Sequence, residues 1–181
     1  MREIIFVTSN DNKAREAAEL LEIGIKRVSL KLDELQGLDL QPIVEHKVRQ
    51  AYKKLQRPVI VDDVSFEIDQ WGKLPGPFAV WFAQAMTYEG LPQFLTKKNR
   101  SARWITALGF FDGKILKIFK GVEEGTIAKY ARGTDGWGFD TIFIPKGYNK
   151  TVAELGFAIK QKQSARILAL RKLKKFLATH R

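Results

Sequence analysis

An α/β fold is predicted by three features of the 181-residue sequence. Short, mostly β-branched apolar runs alternate with segments of helical periodicity between Ile4 and Asp63, the pattern of strands layered against helices rather than of a bundle or sandwich. An Asp112-Gly113 pair between two apolar runs marks a hairpin, because Asp-Gly supplies the positive φ that tight turns need. Hydrophobic residues make up 45% and charged residues 28%, the balance of an ordinary globular chain, and the length fits a single domain over residues 1–181.

The elements follow in order. Met1–Thr8 reads as a buried strand through Ile4, Ile5, Phe6 and Val7. Ser9 and Asn10 are N-cap types, and the helix after them runs to about Leu21 with Ala14, Ala17, Ala18 and Leu21 on one face. Ile25–Leu30 is a second strand. Pro42 to about Leu55 is a second helix, with Ile43, Val44, Val48 and Ala51 as its inward stripe. Pro58–Val61 is a third strand that ends on Asp62 and Asp63. Gly72–Pro77 is a loop, and Phe78–Ala85 and Gly90–Thr96 are short helices. Trp104–Phe111 and Lys114–Phe119 form the hairpin, extended by Gly125–Tyr130. Gly133–Pro145 is a loop ending in a strand at Thr141–Ile144, and a last helix covers Gln163–Ala178.

Cysteine is absent, which excludes disulfides, zinc–thiolate sites and a cysteine nucleophile. The apolar run Ile4–Val7 is far too short for a signal peptide or a membrane span, so a cytoplasmic location and no membrane partner are expected. The formal net charge of +11 attracts polyanions, among them nucleotides and nucleic acids; a lysine-rich solvated surface is the plainer account.

Four segments carry candidate chemistry. Thr8-Ser9-Asn10-Asp11-Asn12-Lys13 joins a strand to a helix start, where unpaired backbone N–H groups suit phosphate; an ordinary capped helix with a Lys13–Glu16 surface pair would look the same. P-loop glycines are missing, which argues against a Walker-type NTPase. Asp62 and Asp63 at the end of an apolar strand need a compensating cation, and Mg2+ held by carboxylate and substrate phosphate fits there. Alternation along the strand allows only one of the two to face it. Gly133–Asp140 sets Trp137 and Phe139 among glycines beside Asp140, either to meet a planar ligand or to plug the core. In Lys160–Arg166, at the start of the last helix, Ser164 and Arg166 are placed where they could meet a nucleotide, while Arg171, Lys172 and Lys175 further along read as a solvated basic face.

In this order the motifs resemble the inosine triphosphate pyrophosphatase family from about Ile4 to Leu177. The family's Thr-(Ser/Gly)-Asn-x-x-Lys-x-x-Glu is matched by Thr8, Ser9, Asn10, Lys13 and Glu16. Its Glu-x-Gln-Gly segment is Glu34-Leu35-Gln36-Gly37, its helix lysine Lys47, and its acidic strand end Asp62-Asp63. Leu74-Pro75-Gly76-Pro77-Phe78, Gly136-Trp137-Gly138-Phe139-Asp140 and Thr151-Val152-Ala153-Glu154-Leu155 complete the series.

The resemblance implies hydrolysis of nucleoside triphosphates, chiefly ITP, dITP and XTP, to monophosphate and pyrophosphate. It also implies Mg2+, a homodimer, and a two-lobed fold around a long mixed central sheet with the nucleotide in a cleft between the lobes. By position, Lys13 and Lys47 would hold the triphosphate together with Thr8, Ser9 and Asn10. Glu34 and Asp63 would organise the metal, Asp63 would orient or deprotonate the attacking water, and Glu16 would assist. Trp137 would stack on the base with Phe139 in the same loop, Asp140, Lys160 and Arg166 would read its edge, and Ser164 would meet the nucleotide.

Departures cluster on the base side. Ala165 stands where the family has a base-contacting histidine, Gln161 where it has Asn, and Thr141 where it has Pro; Val64 replaces a hydroxyl residue after the aspartates. An altered base preference is expected from these changes. The rival reading is a catalytically weak relative that binds nucleotide or RNA; a nucleic-acid partner is not otherwise expected.

Overall fold

The run Glu3–Val7 carries four consecutive apolar side chains and forms β1, the strand from which the sheet grows in both directions. The computed structural model describes residues 3–135 and 138–180, apart from the side chain of Phe157. Gly136 and Trp137, expected beside a base, therefore lie outside the described residues.

Seven strands make one mixed sheet in the order β2-β1-β3-β5-β6-β7, with β4 added beside β3. β1 pairs in parallel with β2 (Gly24–Val28) and with β3 (Val59–Ile68). β4 (Pro75–Gly76) is antiparallel to β3, and β7 (Phe143–Pro145) is antiparallel to β6 (Leu116–Ile127). β5 (Ser101–Phe111) and β6 are joined by the expected turn. Asp112 Oδ1 accepts from the backbone N–H groups of Lys114 at 2.9 Å and Ile115 at 2.7 Å, and Gly113 has φ +96°.

The chain divides into two compact units. Unit 1 comprises Met1–Asp63, Thr106–Gly121 and Arg166–Arg181; unit 2 comprises Val64–Ile105 and Val122–Ala165. In unit 1, Ile4, Phe6, Ile60, Leu108 and Phe110 from the strands pack on Ala17 and Leu21 of α1 (Asp11–Leu21) and on Ile167, Leu170 and Leu173 of α6 (Ala165–Thr179). The stripe Ile43, Val44, Val48 and Ala51 of α2 (Leu40–Leu55) is buried as expected. A Cβ added at Gly109 of β5 would lie 2.7 Å from Val44 Cγ1, so α2 rests on bare strand backbone there. In unit 2 the core gathers Phe66, Leu91, Ile127, Phe139, Ile142 and Phe143. It is completed by α3 (Ala79–Met86), α4 (Val152–Leu155) and α5 (Phe157–Gln163).

Four expectations are corrected. β3 does not stop at the aspartates but continues through them to Ile68, because Phe66 and Ile68 restore the buried run. Thr141 belongs to a 3-10 turn over Gly138–Thr141 rather than to a strand, its Oγ1 donating to Gly138 O at 3.1 Å. The last helix begins at Ala165, since Ser164 with ψ 150° breaks it from α5. Two helices, α4 and α5, fill the stretch left without an element; α4 is closed by the reciprocal Thr151–Glu154 capping box. Among the described residues no helix is long and apolar enough to cross a membrane.

Candidate active site

Asn10 ends the extended segment after β1 and caps α1: its Oδ1 accepts from the backbone N–H of Asn12 at 2.9 Å and of Lys13 at 3.2 Å. The cap fixes the first turn of the helix and brings Lys13 over β3. Thr8, Ser9 and Lys13 then line a cavity of about 320 Å³ in unit 1, together with Glu34, Lys47 and Asp62.

Along β3, alternation sends Asp62 to the same side as Ile60, toward α1 and α6, and Asp63 to the other side, toward α2. Each carboxylate meets different cations. Asp62, with its side chain 2% exposed, accepts from Lys13 Nζ through Oδ1 at 2.9 Å and from Arg166 Nε through Oδ2 at 2.9 Å. Arg166 also donates through Nη1 to Glu16 Oε2 at 2.9 Å. Two cations and two carboxylates thus form a neutral, largely enclosed network. Burial alone would push the Asp62 carboxyl up, but the charges and hydrogen bonds of Lys13 and Arg166 outweigh it and hold it below the usual carboxylate range. Burial likewise opposes the Arg166 charge, and Asp62 and Glu16 overcome it, raising its pKa above the ordinary arginine value.

On the α2 side, Lys47 Nζ donates to Asp63 Oδ2 at 2.8 Å and to Glu34 Oε1 at 2.9 Å. Burial opposes the ammonium; hydrogen bonds and charge from Asp63 and then Glu34 prevail and raise it above the ordinary lysine range. Glu34 sits on the loop between β2 and α2, and α2 itself pins that loop. Gln50 accepts from the Asp33 N–H at 3.2 Å and donates to the Asp33 carbonyl at 3.1 Å, while Lys54 Nζ donates to the Lys31 carbonyl at 2.7 Å.

Two carboxylates around one ammonium leave this triad with a net negative charge, and its donors are hard carboxylate oxygens. That composition suits a divalent cation held by one or two carboxylates plus substrate phosphate, the usual mode for Mg2+. Among the described residues no group of three or more His, Cys, Asp or Glu side chains is placed to hold a metal ion without substrate.

The remaining predicted residues lie in unit 2. Asp140, 8% exposed, is ion-paired with Lys160 of α5. Phe139 is packed into the core against Phe66, Tyr88 and Trp104, with ring centroids 4.6, 5.0 and 5.3 Å apart. Ser164 is the residue between α5 and α6. The structure therefore brings Lys13, Glu16, Glu34, Lys47, Asp62, Asp63 and Arg166 into one unit, and Phe139, Asp140, Lys160 and Ser164 into the other.

Sequence reading overlooked three residues. Asp62 was set aside in favour of Asp63, yet it carries two cations; a charged residue at a buried strand position was the available signal. Gln50 had no signal, because its partner is loop backbone. Glu123 was passed over as one of two adjacent glutamates on β6. Burial pushes its carboxyl up to about 7 despite a hydrogen bond from the Gln163 side chain.

With this geometry established, known proteins of similar sequence and fold become informative. An inosine triphosphate pyrophosphatase from Scheffersomyces stipitis is 36% identical over 195 residues, covering 99% of this chain and all of that protein. A dITP/XTP pyrophosphatase from Saccharolobus solfataricus is 35% identical over 178 residues, covering 96% of this chain and 93% of the relative. The Ham1 protein structure from Coxiella burnetii superposes with a TM-score of 0.87 at 28% identity, over 99% of this chain and 100% of that one. The Staphylococcus aureus Ham1 protein, at 23% identity, shares the fold with a TM-score of 0.89 over 99% of this chain and 100% of its own. The Ham1 family model matches residues 4–176, a span that takes in both the Lys13–Asp62–Arg166–Glu16 network and the Glu34–Lys47–Asp63 triad, and the chain belongs to that family.

Proposed function

We propose that the chain is a metal-dependent nucleoside triphosphate pyrophosphatase acting on non-standard purine nucleotides such as ITP, dITP and XTP, with residues 1–181 working as one catalytic domain. The observation that carries this reading is the Glu34–Lys47–Asp63 triad, two carboxylates on one ammonium at 2.9 and 2.8 Å. The names of relatives 36% and 35% identical to it over nearly the whole chain support the substrate class.

In this reading water adds to the phosphoanhydride link between the α- and β-phosphoryl groups; the bridging P–O bond breaks, and pyrophosphate leaves. Asp63 orients the water and takes its proton. Lys13 and Lys47 draw the triphosphate by charge, while Thr8, Ser9 and the first turn of α1 offer hydroxyl and N–H donors. Glu34 and Asp63 hold Mg2+, which when bound neutralises charge on the phosphates. Glu16 assists by fixing Arg166, and through it Asp62 and Lys13. Catalysis is then mainly positioning and charge neutralisation. On the base side, Trp137 stacks, with Phe139 supporting the loop from the core, and Asp140, Lys160, Ser164 and Arg166 meet the nucleotide.

A homodimer and a cytoplasmic setting complete the proposal. Val80 and Trp81 of α3 and Phe94 are 59%, 65% and 58% exposed, and large apolar side chains left in water are what a second copy would cover. Sedimentation equilibrium tests the dimer, and a Trp81→Glu change should shift it to monomer.

Product analysis tests the reaction. ITP incubated with the protein and Mg2+ should give IMP and pyrophosphate in equal amounts. Release of IDP and orthophosphate would contradict the reading, and silence with retained nucleotide or RNA affinity would favour a binding protein.

A further inference from the structure

The loop between β2 and α2 forms one wall of the cavity of about 320 Å³ in unit 1, through Leu30, Lys31, Leu32 and Glu34. The charged residues lining that cavity are Lys13, Lys31, Glu34, Lys47 and Asp62. All but one of them offset each other in pairs, Lys13 with Asp62 at 2.9 Å and Lys47 with Glu34 at 2.9 Å. Lys31 is exposed, and among the described residues no carboxylate or carbonyl engages its ammonium. Its main chain, by contrast, is fixed. Lys54 Nζ donates to the Lys31 carbonyl at 2.7 Å, and two residues on Gln50 bonds both the N–H and the carbonyl of Asp33. A cation on a flexible stem therefore stands on a pinned stretch of the cavity wall.

Resting on the pyrophosphatase reading, we propose that Lys31 is a further substrate-binding residue, its ammonium pairing with the non-bridging oxygens of the outer two phosphoryl groups, the part that leaves as pyrophosphate. Those two groups carry most of the charge of a nucleoside triphosphate, and Lys31 supplies the positive charge of the lining that no carboxylate offsets among the described residues. An anion that approaches Lys13 competes with Asp62 for the ammonium, and at Lys47 it competes with Glu34 and Asp63. At Lys31 it meets no such competitor. An exposed ammonium on a flexible stem supports bound substrate and transition state about equally, which lowers KM rather than raising kcat.

The test titrates inorganic pyrophosphate into the wild type, Lys31→Ala, Lys31→Arg and Lys26→Ala by calorimetry with Mg2+ present, and then follows ITP turnover by the same proteins. Lys54 and Gln50 hold the loop through main-chain atoms of Lys31 and Asp33, so the Lys31 changes leave those anchors in place. Lys31→Ala should bind pyrophosphate about tenfold more weakly. Its KM for ITP should rise by about tenfold, with kcat within about twofold of wild type. Lys31→Arg, which keeps the charge, should restore most of both. Lys26, exposed on β2 and outside the cavity lining, reports the general field of the surface, and its removal should change neither. Equal pyrophosphate affinity in wild type and Lys31→Ala, or an equal loss in Lys26→Ala, overturns the inference alone. Pyrophosphate binding that depends on Lys31, in a protein that releases none from ITP, overturns the pyrophosphatase reading and leaves an anion site.

Discussion

Asp62 and Asp63 are adjacent in the chain, yet their carboxylates bind cations from different helices. Asp62 holds Lys13 of α1 and Arg166 of α6, both at 2.9 Å, and Asp63 holds Lys47 of α2 at 2.8 Å. The strand period of two enforces this division. One carboxylate is sealed into a neutral network that ties α1 and α6 to the sheet. The other remains partly open in a triad with an excess of negative charge.

Asp62→Asn should therefore act first on stability. Removing one partner from a buried charge network costs about 3–5 kcal/mol, read from urea denaturation at neutral pH. The folded carboxyl titrates below its unfolded value of about 3.9. Its contribution is thus fully present above that value and is lost as pH falls through the folded one. The gap between wild type and variant should accordingly narrow below about pH 4; a gap that widens there contradicts the assignment.

Gln50→Ala should act on activity with little effect on stability. It frees the loop carrying Glu34 by deleting both bonds to Asp33. The Mg2+ concentration for half-maximal rate should rise by about tenfold, as for other supports of metal-binding carboxylates. An unchanged metal requirement would show that the loop is held in place without Gln50.

At Gly133 an added Cβ would lie 2.5 Å from the Ala153 carbonyl carbon, and φ is +85°. Gly133→Ala combines left-handed backbone strain of roughly 1–2 kcal/mol with overpacking of roughly 1–3 kcal/mol. Thermal unfolding should show a clear fall in Tm.

Ser65 is buried, and among the described residues its Oγ has no hydrogen-bond partner. Ser65→Ala removes an unsatisfied buried hydroxyl, so stability should stay level or rise by up to about 1–3 kcal/mol. A lower Tm would reveal a partner for that hydroxyl.

The fold was legible wherever a periodic run was long enough to show its face. The stripe Ile43, Val44, Val48 and Ala51 and the Asp112-Gly113 turn were read directly from the sequence. The four-residue α4 and seven-residue α5 were not, because neither contains enough turns to display a period. On the site, residue types and position singled out Lys13 and the Asp62-Asp63 pair, while Glu34, Lys47 and the choice of Asp63 came from the family resemblance alone. Which carboxylate meets which cation was not legible, since Arg166 reaches Asp62 from 104 positions away and only tertiary packing joins them. Glu123 was hidden for the same reason: its environment comes from α5 and α6, not from its neighbours on β6.

The most direct measurement is ITP turnover as a function of Mg2+ concentration for the wild type and Asp63→Asn, with both confirmed folded by circular dichroism. The triad predicts metal-dependent release of IMP and pyrophosphate by the wild type, and a loss of at least about a hundredfold in the variant. Equal turnover by the two proteins, or turnover indifferent to chelator, would contradict a catalytic role for the Glu34–Lys47–Asp63 triad.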